Sequence, residues 1–242
     1  MRSPLIEPAC AFQVSLDAAG RSGAENMAID AALLDRANGT GLSFLRLYRF
    51  DPPCLSLGRN EPAARYDHTE IARRGLDVVR RPTGGRAVWH EHEVTYAVAA
   101  PVAAFGSLRR AYHTIHERIA AALRSLGADA TLAPHQPPLS SRVDQPTSCF
   151  ATPAGGEVLV AGHKLVGSAQ VRRGSAFLQH GSILLDGSQE IVAAVTRMPH
   201  GASAATTLSA ELGRRVTWDE VVEAVVQAWR GEGTSLAPLG VA

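Results

Sequence analysis

The sequence predicts one domain of mixed helices and strands, and three observations carry that expectation. Several segments place apolar residues at helical spacing. Short runs rich in β-branched residues, bounded by turn signals, lie between them. The 242 residues hold no internal repeat, low-complexity tract or evident linker, so one large core suffices.

The first predicted helix is GAENMAIDAALLDRANG, where Met27, Asp30 and Leu34 share a face and Gly39 marks the expected stop. LSFLRLYRF alternates over residues 42 to 50, and CLSLG, LDVVR, RAVWH and VTYAVAA follow as strand-like runs. SLRRAYHTIHERIAAALRSLG predicts the longest helix, with Ser107 as cap, a stripe of Leu108, Tyr112, Ile115, Ile119, Leu123 and Leu126, and Gly127 as terminator. Residues 133 to 156 hold four prolines before Cys149 and no hydrophobic period, which predicts a long loop. EVLVAGHKLVGSAQV predicts a hairpin turning at Gly162 and His163, SAFLQHGSILL a further strand, and TWDE a capping box from Thr217 to Glu220 opening a last helix that ends at Gly231.

A composition of 45% hydrophobic and 19% charged residues with a net charge of +1 carries no global bias toward nucleic acid or membrane, so neither is an expected partner. No stretch approaches the ~20 apolar residues of a membrane span, and no leader-like segment opens the chain, so a cytoplasmic location is expected. The three cysteines, Cys10, Cys54 and Cys149, form an odd set without metal-ligand spacing. At least one free thiol is expected, and no zinc site.

Four strings carry chemistry. RRPTGGRAVWH sets Gly84 and Gly85 between strands, where backbone N–H groups can approach a ligand and Arg80, Arg81 and Arg86 add positive charge; a Gly-Gly turn with solvated arginines is the open alternative. GHKLVGSAQ places Lys164 beside Gly167 and Ser168, with an exposed lysine as the plainer reading. Cys149 lies in a polar, proline-rich stretch where a thiol contributes little packing, unlike Cys10 and Cys54, which read as buried fillers. A nearby Lys164 ammonium would lower its pKa and make it a nucleophile. In LQHGSILL, His180 and Ser182 share one strand face around Gly181. His90, His92 and His180 lack accompanying carboxylates or thiols at convincing spacing, so no metal is expected.

In their order, AENMAIDAALL, LRLYRFDPPCLSLGRNE, RRPTGGRAVWHEHEVTYAV, SCFATPAGGEVLVAGHKLVGSAQ and LQHGSILL resemble the superfamily of lipoate-protein ligases, octanoyltransferases and biotin-protein ligases. They are most similar to its Cys-dependent octanoyltransferase branch and span roughly residues 24 to 186. The resemblance implies an α+β fold in which helices flank a large, bent, mostly antiparallel sheet similar to biotin-ligase and class II synthetase domains. It also implies a single catalytic domain over 1–242 without a separate C-terminal accessory domain.

For activity, the resemblance implies transfer of an octanoyl group from octanoyl-acyl carrier protein to a lysine of a lipoyl domain or of the glycine-cleavage H protein, without a cofactor. Cys149 would be the nucleophile and Lys164 its partner. Arg81, Thr83, Gly84, Gly85, His90, Gly167, Ser168, Gln170, His180, Gly181 and Ser182 would bind substrate. Arg86 stands where the ligases typically have a third glycine. No cysteine follows Lys164, where the first-known octanoyltransferases carry theirs, which points to the branch with the cysteine in the preceding loop. An ATP-dependent lipoate-protein ligase and a non-catalytic carrier-binding subunit are the alternatives.

Overall fold

A computed structural model describes residues 11–134, 155–197 and 205–230, together with the backbone of 235–236. Cys10, Cys149 and Gly231 lie outside the described residues.

In chain order the elements are β1 (Phe12–Arg21), α1 (Gly23–Thr40), β2 (Ser43–Phe50), β3 (Cys54–Leu57), α2 (His68–Arg73), β4 (Asp77–Arg80), β5 (Val88–His90), β6 (Glu93–Pro101), α3 (Leu108–Ser125), β7 (Ala130–Leu132), β8 (Val158–Val160), β9 (His163–Lys164), β10 (Val166–Arg173), β11 (Ala176–Leu184), α4 (Glu190–Ala194), α5 (Leu208–Leu212), α6 (Trp218–Trp229) and β12 (Ser235–Leu236). A large sheet runs β10-β11-β6-β2-β1-β12, and two three-stranded sheets run β4-β3-β5 and β7-β8-β9. In the large sheet β10, β11, β6 and β2 pair antiparallel, while β1 lies parallel to both β2 and β12. The mixed α+β architecture with a mostly antiparallel large sheet is therefore present; β1, α2, β7, α4, α5 and β12 had no counterpart in the sequence reading.

Side-chain alternation assigns the two faces of the large sheet. Leu45, Leu47, Val94, Tyr96, Val98, Phe177 and Ile183 face α3 and α6 in one core, built on Ile115, Ile119, Leu123, Val221 and Val225. Phe44, Tyr48, Phe50, Ala97, Ala99, Ala176 and Leu178 face Met27, Leu33 and Leu34 of α1 in another. Both faces being covered, β2 and β6 are almost wholly buried, and the polar residues Ser43, Arg46, Glu93 and Thr95 in them are buried too. That burial is the origin of the site.

Local chemistry explains the element ends. Ser22 and Glu25 form a reciprocal capping box at the start of α1. The expected stop at Gly39 moves to Gly41, which adopts φ 73° and returns its N–H to Ala37 O. Ser107 caps α3, and Thr217 with Glu220 forms the expected box on α6. The β8–β9 hairpin turns one residue earlier than expected, because Val160 pairs with His163 and leaves Ala161 and Gly162, both at positive φ, as the two-residue turn. After Lys164 the chain changes sheets, so that Lys164 pairs in the small sheet and Val166 begins the edge strand of the large one.

Candidate active site

Strands β2, β6, β10 and β11, the β3–β5 sheet and α1 border an open pocket with about 350 Å³ of empty space, part of it open to solvent. Met27, Tyr48, Val88 and Ala169 supply apolar wall, while Ser56, Arg81, His90, Thr95, Gly167, Ser168, His180, Gly181 and Ser182 complete it. Gly181 is required by close approach. A Cβ there would lie 2.5 Å from Gly167 O and from Ser168 Oγ.

On the α1 side, His180 Nδ1 lies 2.8 Å from Asp30 Oδ2, and its Nε2 lies 2.7 Å from Thr83 Oγ1. An ionised carboxylate only accepts, so the ring donates from Nδ1 and accepts the Thr83 hydroxyl at Nε2. Both oxygens of Asp30 are engaged: Tyr48 donates to Oδ2 at 2.9 Å and Arg46 to Oδ1 at 3.1 Å. Arg46 also reaches Asp17 and Asn26 and stacks on Tyr48, with 3.9 Å between guanidinium carbon and ring centre. The helical spacing that put Asp30 on the apolar stripe of α1 thus serves a buried ion pair, and burial together with Asp30 holds the Tyr48 phenol well above its usual pKa.

A second carboxylate–histidine–hydroxyl chain stands on the β3–β5 side. Glu93 Oε1 lies 2.6 Å from His90 Nδ1, and His90 Nε2 lies 2.7 Å from Ser56 Oγ. Phe50 stacks on the His90 ring at 4.1 Å, and Ser182 Oγ lies 3.2 Å from Nδ1. Arg81 donates to Ser56 O and Oγ and to the carbonyls of Gly84 and Arg86. Arg81 is therefore no solvated arginine; it is buried and ties down the Gly84–Gly85 loop.

A third network lies on the α3 side, around His116, which the sequence reading passed over. His116 Nδ1 donates to Gly156 O at 2.7 Å, and Nε2 lies 2.8 Å from Ser168 Oγ. Ser168 lies 2.6 Å from Tyr96 Oη, which accepts from Gln179 at 3.1 Å. Gln170 donates to Gln179 Oε1 and Leu108 O. Burial first, with the Lys164 charge among the further causes, lowers the His116 pKa to about 4, while its bond to Gly156 opposes the shift. A helix position between two Ile residues of a core stripe was the available signal.

Lys164 is not the exposed lysine of the plainer reading. It is buried and its Nζ donates to Glu157 at 2.6 Å. Of the residues expected to bind substrate, Arg81, His90, Gly167, Ser168, His180, Gly181 and Ser182 line the pocket. Thr83 contacts it through His180, Gly84 is held by Arg81, Gln170 stands behind it through Gln179, and Gly85, at φ 92°, is exposed in the loop above β5. Cys54 is the buried filler expected, its thiol held above the usual range by burial and then by Asp77. Among the described residues no cluster of three or more His, Cys, Asp or Glu could hold a metal, and no helix is long and apolar enough to cross a membrane.

Known proteins resemble the chain in sequence or in fold. The octanoyltransferase LipM of Kyrpidia tusciae is 44% identical over 185 residues, covering 74% of this chain and 68% of that protein. LipM of Carboxydothermus hydrogenoformans is 41% identical, covering 70% and 64%, and LipM of Moorella thermoacetica is 39% identical over 221 residues, covering 84% and 80%. Among solved structures, lipoate-protein ligase A bound with ATP superposes with a TM-score of 0.72 at 20% identity, covering 90% of this chain and 83% of that one. LipL1 of P. falciparum in complex with lipoate gives 0.70 at 18%, covering 90% and 61%. At those identities the structural likeness is one of fold. The lipoyl protein ligase A/B catalytic-domain family matches residues 22–230. The chain belongs to that family, as an acyltransferase.

Proposed function

We propose that the chain moves an octanoyl group from the thioester of an acyl carrier protein to the ε-amine of a lysine on a lipoyl domain or glycine-cleavage H protein, through a thioester on Cys149. The observation that carries this reading is the identity, 39–44%, to proteins named octanoyltransferase LipM. The pocket supports it with a partly apolar wall for an acyl tail. At about 0.8 kcal/mol per buried methylene, an eight-carbon chain gains roughly 5 kcal/mol there.

In this reading the Cys149 thiolate attacks the carrier thioester, the C–S bond to the carrier breaks, and the carrier leaves as its thiol. The acceptor amine then attacks the acyl-enzyme, a C–N bond forms and Cys149 is regenerated. Lys164 is the fixed positive charge for the thiolate and for the carbonyl oxygen, with Glu157 holding its Nζ in place. Backbone N–H groups near Gly167 and Ser168 serve the tetrahedral oxyanion. Neighbouring chain lengths react measurably, because one methylene alters preference by only about 1 to 3 kcal/mol.

The test is transfer from octanoyl-acyl carrier protein to an apo lipoyl domain in the absence of nucleotide. Octanoylated acceptor is the expected product. A strict requirement for ATP together with ATP/pyrophosphate exchange driven by free octanoate contradicts the proposal.

A further inference from the structure

Acyl transfer sets a proton free inside a pocket. Over one cycle a thioester and an alkylammonium become a thiol, an amide and one proton, since the acceptor lysine is protonated near neutral pH. We infer that Ser56, His90 and Glu93 carry this proton from the pocket to a second, polar pocket, a role that rests on the proposed transferase reading.

The geometry is continuous. Ser56 and His90 line the substrate pocket. Ser56 Oγ to His90 Nε2 is 2.7 Å, and His90 Nδ1 to Glu93 Oε1 is 2.6 Å. The carboxylate fixes the tautomer, so His90 donates at Nδ1 and accepts the Ser56 hydroxyl proton at Nε2. Ser56 takes a proton from the attacking amine while its own passes to His90 Nε2, and the Nδ1 proton passes to Glu93. No heavy-atom bond changes in the relay, and the charge leaves as one proton.

Glu93 is built differently from an ordinary buried carboxylate. It is 3% exposed, and its Oε1 takes both His90 and Thr95. Its Oε2 is buried and has no hydrogen-bond partner among the described residues. Glu93 also lines a second pocket of about 190 Å³ with Glu91, His92, Asp186, Ser188 and Gln189. Glu91, His92, Asp186 and Ser188 of that pocket are exposed, which gives the proposed route its solvent end.

The experiment separates the two half-reactions in the full-length chain. Acyl-enzyme is formed with octanoyl-acyl carrier protein and followed by intact mass; it is then mixed with apo lipoyl domain in a single turnover. Glu93→Gln, which keeps an acceptor for His90 Nδ1–H, and His90→Ala are compared with wild type. For Glu93→Gln, acyl-enzyme formation within about twofold of wild type is expected, with transfer to the acceptor slowed on the order of 100-fold; in His90→Ala transfer is expected to slow more than acyl-enzyme formation. Added imidazole is expected to restore transfer in His90→Ala and to leave wild type unchanged. If the two half-reactions slow equally and imidazole restores nothing, the residues are structural and the relay is overturned. Normal transfer in Glu93→Gln overturns it as well, even where His90→Ala does not fold. A wild type that forms no acyl-enzyme overturns the parent reading and the relay with it.

Discussion

Two carboxylate–histidine–hydroxyl chains flank one pocket, Asp30–His180–Thr83 and Glu93–His90–Ser56, and they differ at the carboxylate. Asp30 has an arginine on one oxygen and a tyrosine and a histidine on the other. Glu93 has two donors on one oxygen and none among the described residues on the other. The same three-group motif therefore does two jobs. With its charge matched by Arg46, the first is a clamp joining α1, β2, β11 and the Gly84–Gly85 loop. The second leaves one carboxylate oxygen without a donor among the described residues, in a residue that also lines a second pocket, and is the one assigned to the proposed proton route.

A carboxylate-to-amide substitution at each position is the sharpest way to break that comparison. Asp30→Asn leaves the buried Arg46 under-compensated and turns an amide N–H toward existing donors, so a loss on the order of 3–5 kcal/mol is expected from urea unfolding. Equal costs at positions 30 and 93 would erase the distinction.

The next effect concerns the third network and depends on pH. His116 has a folded pKa of about 4 against 6.5 in the unfolded chain. Between those values the unfolded state holds the extra proton, so stability falls as pH is lowered through this window and is fully present above it. Across the window the contribution is about 3 kcal/mol. His116→Gln is expected to flatten the wild-type slope between pH 6.5 and 4, read as the difference between the two urea-midpoint profiles. An unchanged slope would mean that the ring is not held neutral.

The smallest stability effect belongs to Glu93→Gln. The Gln side chain keeps an acceptor oxygen for His90 and Thr95, so a change within about 1 kcal/mol is expected by the same measurement. A large loss would recast Glu93 as a second clamp.

Much of the frame was legible in the sequence because it follows from local rules. Caps at Ser107 and at Thr217 with Glu220, the stripe of Ile115, Ile119 and Leu123, and a strand over residues 43 to 50 all reappear in the structure, the strand buried on both faces. The pocket strings were legible as motifs, and His180 and Ser182 do share the face toward α1. What stayed hidden depends on contacts distant in sequence. Glu93, among the charged residues of HEHE, reads as solvated until β6 proves buried on both faces. His116 reads as an ordinary helix residue until β10 brings Ser168 to it. Lys164 reads as exposed because its partner Glu157 lies across a hairpin, and the change of sheets at Leu165 leaves no mark in the composition. Arg46, in the middle of an alternating strand, was a visible signal for Asp30, since a buried guanidinium needs a carboxylate.

The measurement that bears most directly on the whole account is the intact mass of the chain after brief mixing with octanoyl-acyl carrier protein, for wild type and Cys149→Ala. The account predicts a hydroxylamine-labile octanoyl adduct on the wild type and none on the variant. Equal labelling of both chains would contradict it.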